Sequence, residues 1–160
     1  MKKTTIVSLV FAVIFAFCPR DLTAQVSDMD LYLNLGLTTN DEFTFDPFIW
    51  TAGASIDIHL GRMLMLSPEC DVVFMDFKFK RMWLSPGAIL NARLGLFFAG
   101  AGIVKWFKLI GNVVDGEFSM KMNAGFKGRK YRLAAYIATP FNDFFGKNMI
   151  MFGAVLGFQF

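Results

Sequence analysis

The sequence predicts an all-β chain, an eight-stranded antiparallel up-and-down transmembrane β-barrel, and three observations lead there. Strand-sized segments with period-two alternation of apolar and polar residues recur along most of the chain. Tight turns carrying glycine alternate with longer, more polar connections. Within the strands the charges gather on one face, and the other face is almost wholly apolar. Composition agrees, since 55% hydrophobic residues and a mean hydropathy of +0.48 exceed the roughly 45–50% apolar content of a soluble chain. Something other than water is expected to cover part of a single 160-residue domain.

Taken in order, residues 1–24 read as a cleaved secretory signal peptide, leaving residues 25–160 for the barrel. Met1-Lys2-Lys3 is a charged start, Ile6 to Phe17 an apolar run, and Leu22-Thr23-Ala24 a small-residue site before Gln25. Cys18 follows bulky Phe17, unlike a lipid-attachment cysteine, which follows a small residue. The apolar run falls short of the roughly 20 residues of a membrane helix, and no longer run follows. Removing the leader takes Lys2, Lys3, Arg20 and Asp21 from 16 basic and 13 acidic residues, leaving 13 and 12 and a net charge of +1. No basic stripe survives, so nucleic acid is not an expected partner. Cys70 is then the sole thiol, which excludes an internal disulfide.

Eight strands follow: Met29 to Leu37, Phe48 to Leu60, Leu64 to Phe77, Met82 to Leu94, Phe97 to Trp106, Phe118 to Lys127, Lys130 to Thr139 and Met149 to Phe160. In the first, Met29, Leu31, Leu33, Leu35 and Leu37 oppose Asp30, Tyr32, Asn34 and Gly36. The second sets Ala52, Ala54, Ile56 and Ile58 against Gly53, Ser55, Asp57 and His59. The third keeps Leu64, Leu66, Cys70 and Val72 on one side if its turn takes three residues, Gly61-Arg62-Met63; otherwise a bulge near Pro68 must restore the parity. The fourth sets Leu84, Ala88, Leu90 and Ala92 against Ser85, Gly87, Asn91 and Arg93. In the fifth, Gly100 and Gly102 favour Phe97, Ala99, Ala101 and Ile103 as the apolar side. The sixth and seventh put Met120, Met122, Ala124, Leu133 and Ile137 opposite Lys121, Lys127, Arg132 and Tyr136. The eighth alternates to its last residue, so the terminal strand must be held on both sides by a closed sheet. Pro68 and Pro86 each remove a ladder hydrogen bond, and local bulges are expected there. Gly61-Arg62, Gly95-Leu96 and Gly128-Arg129 make the tight turns at one end, and four mostly longer connections lie at the other.

The charges decide which face is inside. Asp30, Asp57, Glu69, Asp71, Arg93, Lys121, Lys127 and Arg132 all share the polar face. An arginine or lysine facing lipid at mid-bilayer costs about 2–4 kcal/mol, so the charges belong in the lumen. A soluble ligand-binding barrel would reverse this and expose an uncharged Leu/Ala/Phe surface to water. The expected lumen network is therefore Asp30, Asp57, His59, Glu69, Asp71, Arg93, Lys121, Lys127 and Arg132. In an interior only side-chain wide it reads as a salt-bridge plug, which argues against a diffusion porin. Trp50, Trp83 and Trp106 at the loop ends, with Phe97, Tyr131 and Phe160 at the other, are expected to form aromatic girdles. Lys78, Lys80, Arg81, Lys105 and Lys108 make an outer basic rim suited to lipopolysaccharide phosphates.

The strand count, the loop asymmetry and the terminal Gly157-Phe-Gln-Phe160 resemble the small eight-stranded outer-membrane barrels typified by OmpX and the membrane domain of OmpA. The resemblance covers residues 25–160 and includes no peptidoglycan-binding domain. It implies a monomer in the outer membrane of a double-membraned bacterium, with Phe158 and Phe160 as the signal read by the insertion machinery. It also implies a role in envelope integrity or loop-mediated contact with an extracellular partner. No catalytic site, metal or cofactor is expected: one histidine and one thiol make no metal cluster. Two alternatives stand beside this reading, a narrow channel for small or apolar solutes and a lipid A-modifying enzyme using His59 with Ser55 or Asp57.

Overall fold

The computed structural model describes residues 28–39, 48–75, 82–108, 117–141 and 150–160. The signal peptide and the tips of the four longer connections, with Lys78, Lys80 and Arg81, lie outside the described residues. The strands are β1 (Met29–Thr39), β2 (Ile49–Leu60), β3 (Leu64–Met75), β4 (Met82–Leu94), β5 (Phe97–Lys105), β6 (Phe107–Lys108), β7 (Phe118–Lys127), β8 (Tyr131–Pro140) and β9 (Met151–Gln159). The strands pair antiparallel in chain order, except that β4 pairs with both β5 and β6 and β5 with β7, and β9 returns to β1, from Tyr32 opposite Gln159 to Thr39 opposite Phe152. The Phe160 amide adds a bond to the Leu31 carbonyl, 3.3 Å. β5 and β6 are two parts of one strand, because Gly87 opposite Val104 and Leu84 opposite Phe107 keep one register. The result is a closed eight-stranded barrel.

Register fixes its shape. Met29 pairs with Ile58, and the path continues through Leu66, Leu90, Ala101, Met122, Ile137 and Phe152 to Thr39, ten residues further along β1. With about 3.3 Å per residue and about 4.8 Å between strands, that stagger tilts the strands by about 40° and gives a wall about 25 Å tall. Every residue on this spiral before Thr39 is apolar and faces outward. Leu31, Leu33, Leu35 and Leu37 are likewise exposed, whereas Tyr32 and Asn34 between them and Thr38 after them are buried.

The prolines depart from expectation. β3 and β4 pair without interruption from Leu64 with Ala92 to Phe74 with Met82, straight through Pro68 and Pro86. Between β2 and β3 the ladder skips Ile56 and Asp57 beside Pro68, then resumes in the same register. No bulge is inserted: the missing donor removes bonds locally, while the pairs on either side hold the register. The three-residue turn Gly61-Arg62-Met63 supplies the parity instead. Gly61 and Gly95 take positive φ, at 77° and 64°, as their tight turns require. Gly128 does not, and its turn closes through the Gly128 amide and the Tyr131 carbonyl, 2.9 Å.

Inside, bare glycine backbone leaves room for large neighbours. A Cβ at Gly153 would fall 2.6 Å from the Tyr136 hydroxyl, and one at Gly53 would fall 2.6 Å from Asp71 Cα. The lumen is also less uniformly polar than its charges suggest, since Met65, Ile89, Phe98 and Val104 are buried there.

Candidate functional site

The lumen charges divide into two layers. The first lies toward the tight turns and is centred on Asp57, which is fully buried. Its Oδ2 accepts from Lys127 Nζ at 2.8 Å; its Oδ1 accepts from Arg132 Nη1 at 2.8 Å and Ser67 Oγ at 2.7 Å. Lys127 also reaches Asp30 Oδ2 at 2.9 Å and Met65 Sδ at 3.4 Å. Arg132 donates Nη2 to Ser55 Oγ at 2.7 Å and to Asn34 Oδ1 at 3.2 Å. Both cations lie over the Tyr32 ring, Lys127 at 5.4 Å and Arg132 at 4.9 Å. Asn91 donates to Ser67, 2.9 Å, and Gln159 donates to Asp30 Oδ1, 2.6 Å. Two carboxylates thus balance two cations, and β1, β2, β3, β4, β7, β8 and β9 all contribute a side chain. The Gln159–Asp30 bond joins the last strand to the first across the closure seam.

The second layer lies loopward, since Glu69 and Asp71 follow Ser67 by two and four residues on β3. Lys121 from β7 donates to Glu69 Oε1 and stands 3.7 Å from Asp71 Oδ2, with its Nζ 4.5 Å over the Tyr136 ring. The Tyr136 hydroxyl in turn bonds the Thr38 hydroxyl. Thr51, Asp71, Ser85, Trp106, Lys121 and Tyr136 enclose a cavity of about 10 Å³, room for one water at most.

Trp83 and Trp106 correct the girdle. Both stand on the lumen face: Trp83 pairs with buried Val73, and Trp106 lines the cavity and donates Nε1 to Ser119 Oγ at 3.1 Å. Their rings meet edge to face, 6.3 Å apart, toward the loop end of the lumen. Trp50 is outward and stacks on Phe74 at 4.1 Å. At the tight-turn end Phe97 packs on Phe126 at 4.7 Å, and Tyr131, Phe158 and Phe160 are exposed.

Arg93 is the second correction. It joins neither layer; its Nε donates to the Gly95 carbonyl of its own turn at 3.0 Å. At the strand end a carbonyl two residues away is reached at less entropic cost than a carboxylate across the lumen. On the rim, Lys105 lies over Phe107 at 4.7 Å and Phe118 at 5.0 Å, while Lys108 is exposed.

His59 Nε2 faces Asp30 Oδ2 at 3.0 Å and Lys127 Nζ at 3.2 Å, while Ser55 Oγ is engaged by Arg132 and Asn34. The histidine and serine of a nucleophilic site are therefore committed to different partners. Among the described residues no group of three His, Cys, Asp or Glu side chains could hold a metal ion. The alternation put Tyr32, Asn34, Ser55, Asn91, Tyr136 and Gln159 on the polar face, but sequence reasoning did not single them out, nor Ser67, as network members. Their polarity on the lumen side of the alternation was the available signal.

No family model and no curated protein matches the chain. Solved structures similar to it include the following two. A de novo designed protein, TMB2.3, determined by solution NMR, shares 11% identity at a TM-score of 0.58, over 81% of this chain and 93% of that one. A structure titled "De novo design of transmembrane beta-barrels" shares 8% identity at 0.59, over 82% and 95%. At such identities the likeness is one of fold, a transmembrane-type barrel.

Proposed function

We propose that the chain is an integral outer-membrane β-barrel of a double-membraned bacterium. It serves as a sealed structural and surface-interaction element, without catalysis or a cofactor. One observation carries this reading: ion pairs fill the inside while the outside is an uninterrupted apolar belt, the inverse of a soluble protein. Such a belt in water would exceed the apolar patches that soluble monomers expose, whereas lipid solvates it without cost. A closed barrel leaves no strand edge unpaired in that environment.

Among the described residues, two stacked charge layers and the tryptophan pair leave no continuous polar column, which supports sealing over a narrow channel for solutes. His59 is engaged by Asp30 and Lys127 rather than by a serine, which supports a structural role over lipid A modification. Lys105 and Lys108 at the loop end are cations suited to lipopolysaccharide phosphates, and the rim expected with them at Lys78, Lys80 and Arg81 lies outside the described residues. Phe158 and Phe160 are exposed on the terminal strand, where insertion machinery would read them. The loops are the surface for an extracellular partner, and the barrel acts as a monomer.

The test combines membrane fractionation with gel mobility of the extracted protein, boiled and unboiled. The expected result is a compact unboiled species in the outer-membrane fraction, with small-ion flux at background in vesicles. Soluble periplasmic protein of a single mobility would overturn the membrane reading, and flux well above background would overturn sealing. A lipid A mass change that disappears with His59→Ala would overturn the non-catalytic reading.

A further inference from the structure

An open cavity lies on the outer face, across the closure seam. It measures about 460 Å³ and is lined by Leu35, Leu37, Trp50, Leu133, Ala154 and Leu156, with Gly36 backbone among its floor. Register explains the depression. In one row Ala135 pairs with Ala154, Ala154 with Leu37, and Leu37 with Trp50; in the next, Leu133 pairs with Leu156, Leu156 with Leu35, and Leu35 with Ala52. Two adjacent alanines thus stand among leucines and an indole. The one hydroxyl residue of the lining, Thr51, turns its Oγ1 to the lumen side over Gly36 and is buried. No charged side chain contributes among the described residues, so the groove offers an occupant an almost wholly apolar surface.

Its direction follows from the same register. From Leu133 on β8 to Trp50 on β2 the path crosses three strand spacings and climbs two residues. With the strands tilted about 40°, this is a rise of about 14 Å along the barrel axis against a sideways drift of about 7 Å. The groove therefore runs close to the membrane normal. Half of a hydrocarbon core of about 30 Å is about 15 Å, the depth of one leaflet. The groove's upper wall is the Trp50–Phe74 stack, whose rings lie within 10° of parallel, at the level where loop-end headgroups begin.

We propose that this groove seats one acyl chain of a membrane lipid from the leaflet on the loop side. The inference rests on the membrane reading above and deepens it. The groove is continuous with the lipid-facing belt, its length matches one leaflet, and its lining is apolar. An extended hydrocarbon chain satisfies all three.

The test uses the full chain reconstituted in phosphatidylcholine vesicles, gently extracted and weighed by native mass spectrometry. The wild type is expected to retain one phospholipid per barrel. Ala154→Phe fills the groove from an exposed position and is expected to reduce the retained fraction about ten-fold, a loss of about 1.4 kcal/mol. Ala101→Phe, on the opposite wall, is expected to leave retention unchanged. Both variants must keep the unboiled gel mobility, which separates a lost lipid from a lost fold. Equal retention in all three proteins, or none in the wild type, overturns the groove while leaving the membrane reading intact. Protein that floats apart from the vesicles overturns the membrane reading itself.

Discussion

Replacing Asp57 with asparagine tests whether the lower charge layer holds the barrel together. The carboxylate accepts three hydrogen bonds, from Lys127 and Arg132 at 2.8 Å each and from Ser67 at 2.7 Å, in a fully buried position. The amide side chain would keep the shape, lose one acceptor oxygen and leave two cations facing one remaining carboxylate, Asp30. Removing one partner of a buried pair costs about 3–5 kcal/mol. Lys127 retains Asp30, whose side chain is 21% exposed and lets water share the charge, so the lower end applies, about 3 kcal/mol. The assay is urea unfolding of the vesicle-reconstituted protein followed by tryptophan fluorescence, with stability taken from linear extrapolation. Adding Lys127→Met restores the balance of charge and is expected to recover about half of the loss, since interacting residues are non-additive. A cost under about 1 kcal/mol for Asp57→Asn, with no recovery in the double variant, would show that the layer is not a coupled network.

Three other outcomes follow from the same geometry. Ala101→Arg places a cation midway up the apolar belt and is expected to destabilise the membrane-inserted barrel by about 2–4 kcal/mol, measured by the same urea titration; a neutral result would reverse the inside–outside assignment. Gly53→Ala pushes a methyl group against the Asp71 backbone on the facing strand and is expected to cost about 1–3 kcal/mol, whereas exposed Ala124→Leu on the outer face should stay within about 0.5 kcal/mol. Cys70 is an exposed free thiol on the lipid side, so in vesicles it should react with a membrane-soluble maleimide and resist a charged one until the protein unfolds; rapid labelling by the charged reagent would place it in water.

Much of this architecture is legible in the sequence because alternation is a local property. The side-chain period of a strand is two, so Leu31, Leu33, Leu35 and Leu37 declare their common face without reference to any other strand. Parity offered the three-residue turn before Leu64 as one of two ways to keep the third strand in phase, the other being a bulge near Pro68, and the structure takes the turn. The tryptophans show where position misleads: Trp83 lies near a loop end, as a girdle residue should, yet its parity with Ser85 puts it inside. The bulges expected at Pro68 and Pro86 fail for a non-local reason, since paired residues on both sides hold the register across the missing bonds.

By itself, then, the sequence determined the class of fold, the number of its strands and the two faces of most of them, while several strand ends shifted by one or two residues and two tryptophans took the inner face. Tertiary structure alone decided the stagger of ten residues on closing the circle. That stagger sets which levels meet across the lumen, and so sorts the charges into two layers, pairs Asp57 with Lys127 and Arg132, and leaves Arg93 to its own turn. It also aligns the alanines of β8 and β9 with the leucines of β1 into a groove. Register belongs to pairs of strands and not to any one of them, and only closure of the last strand on the first fixes all eight pairings at once.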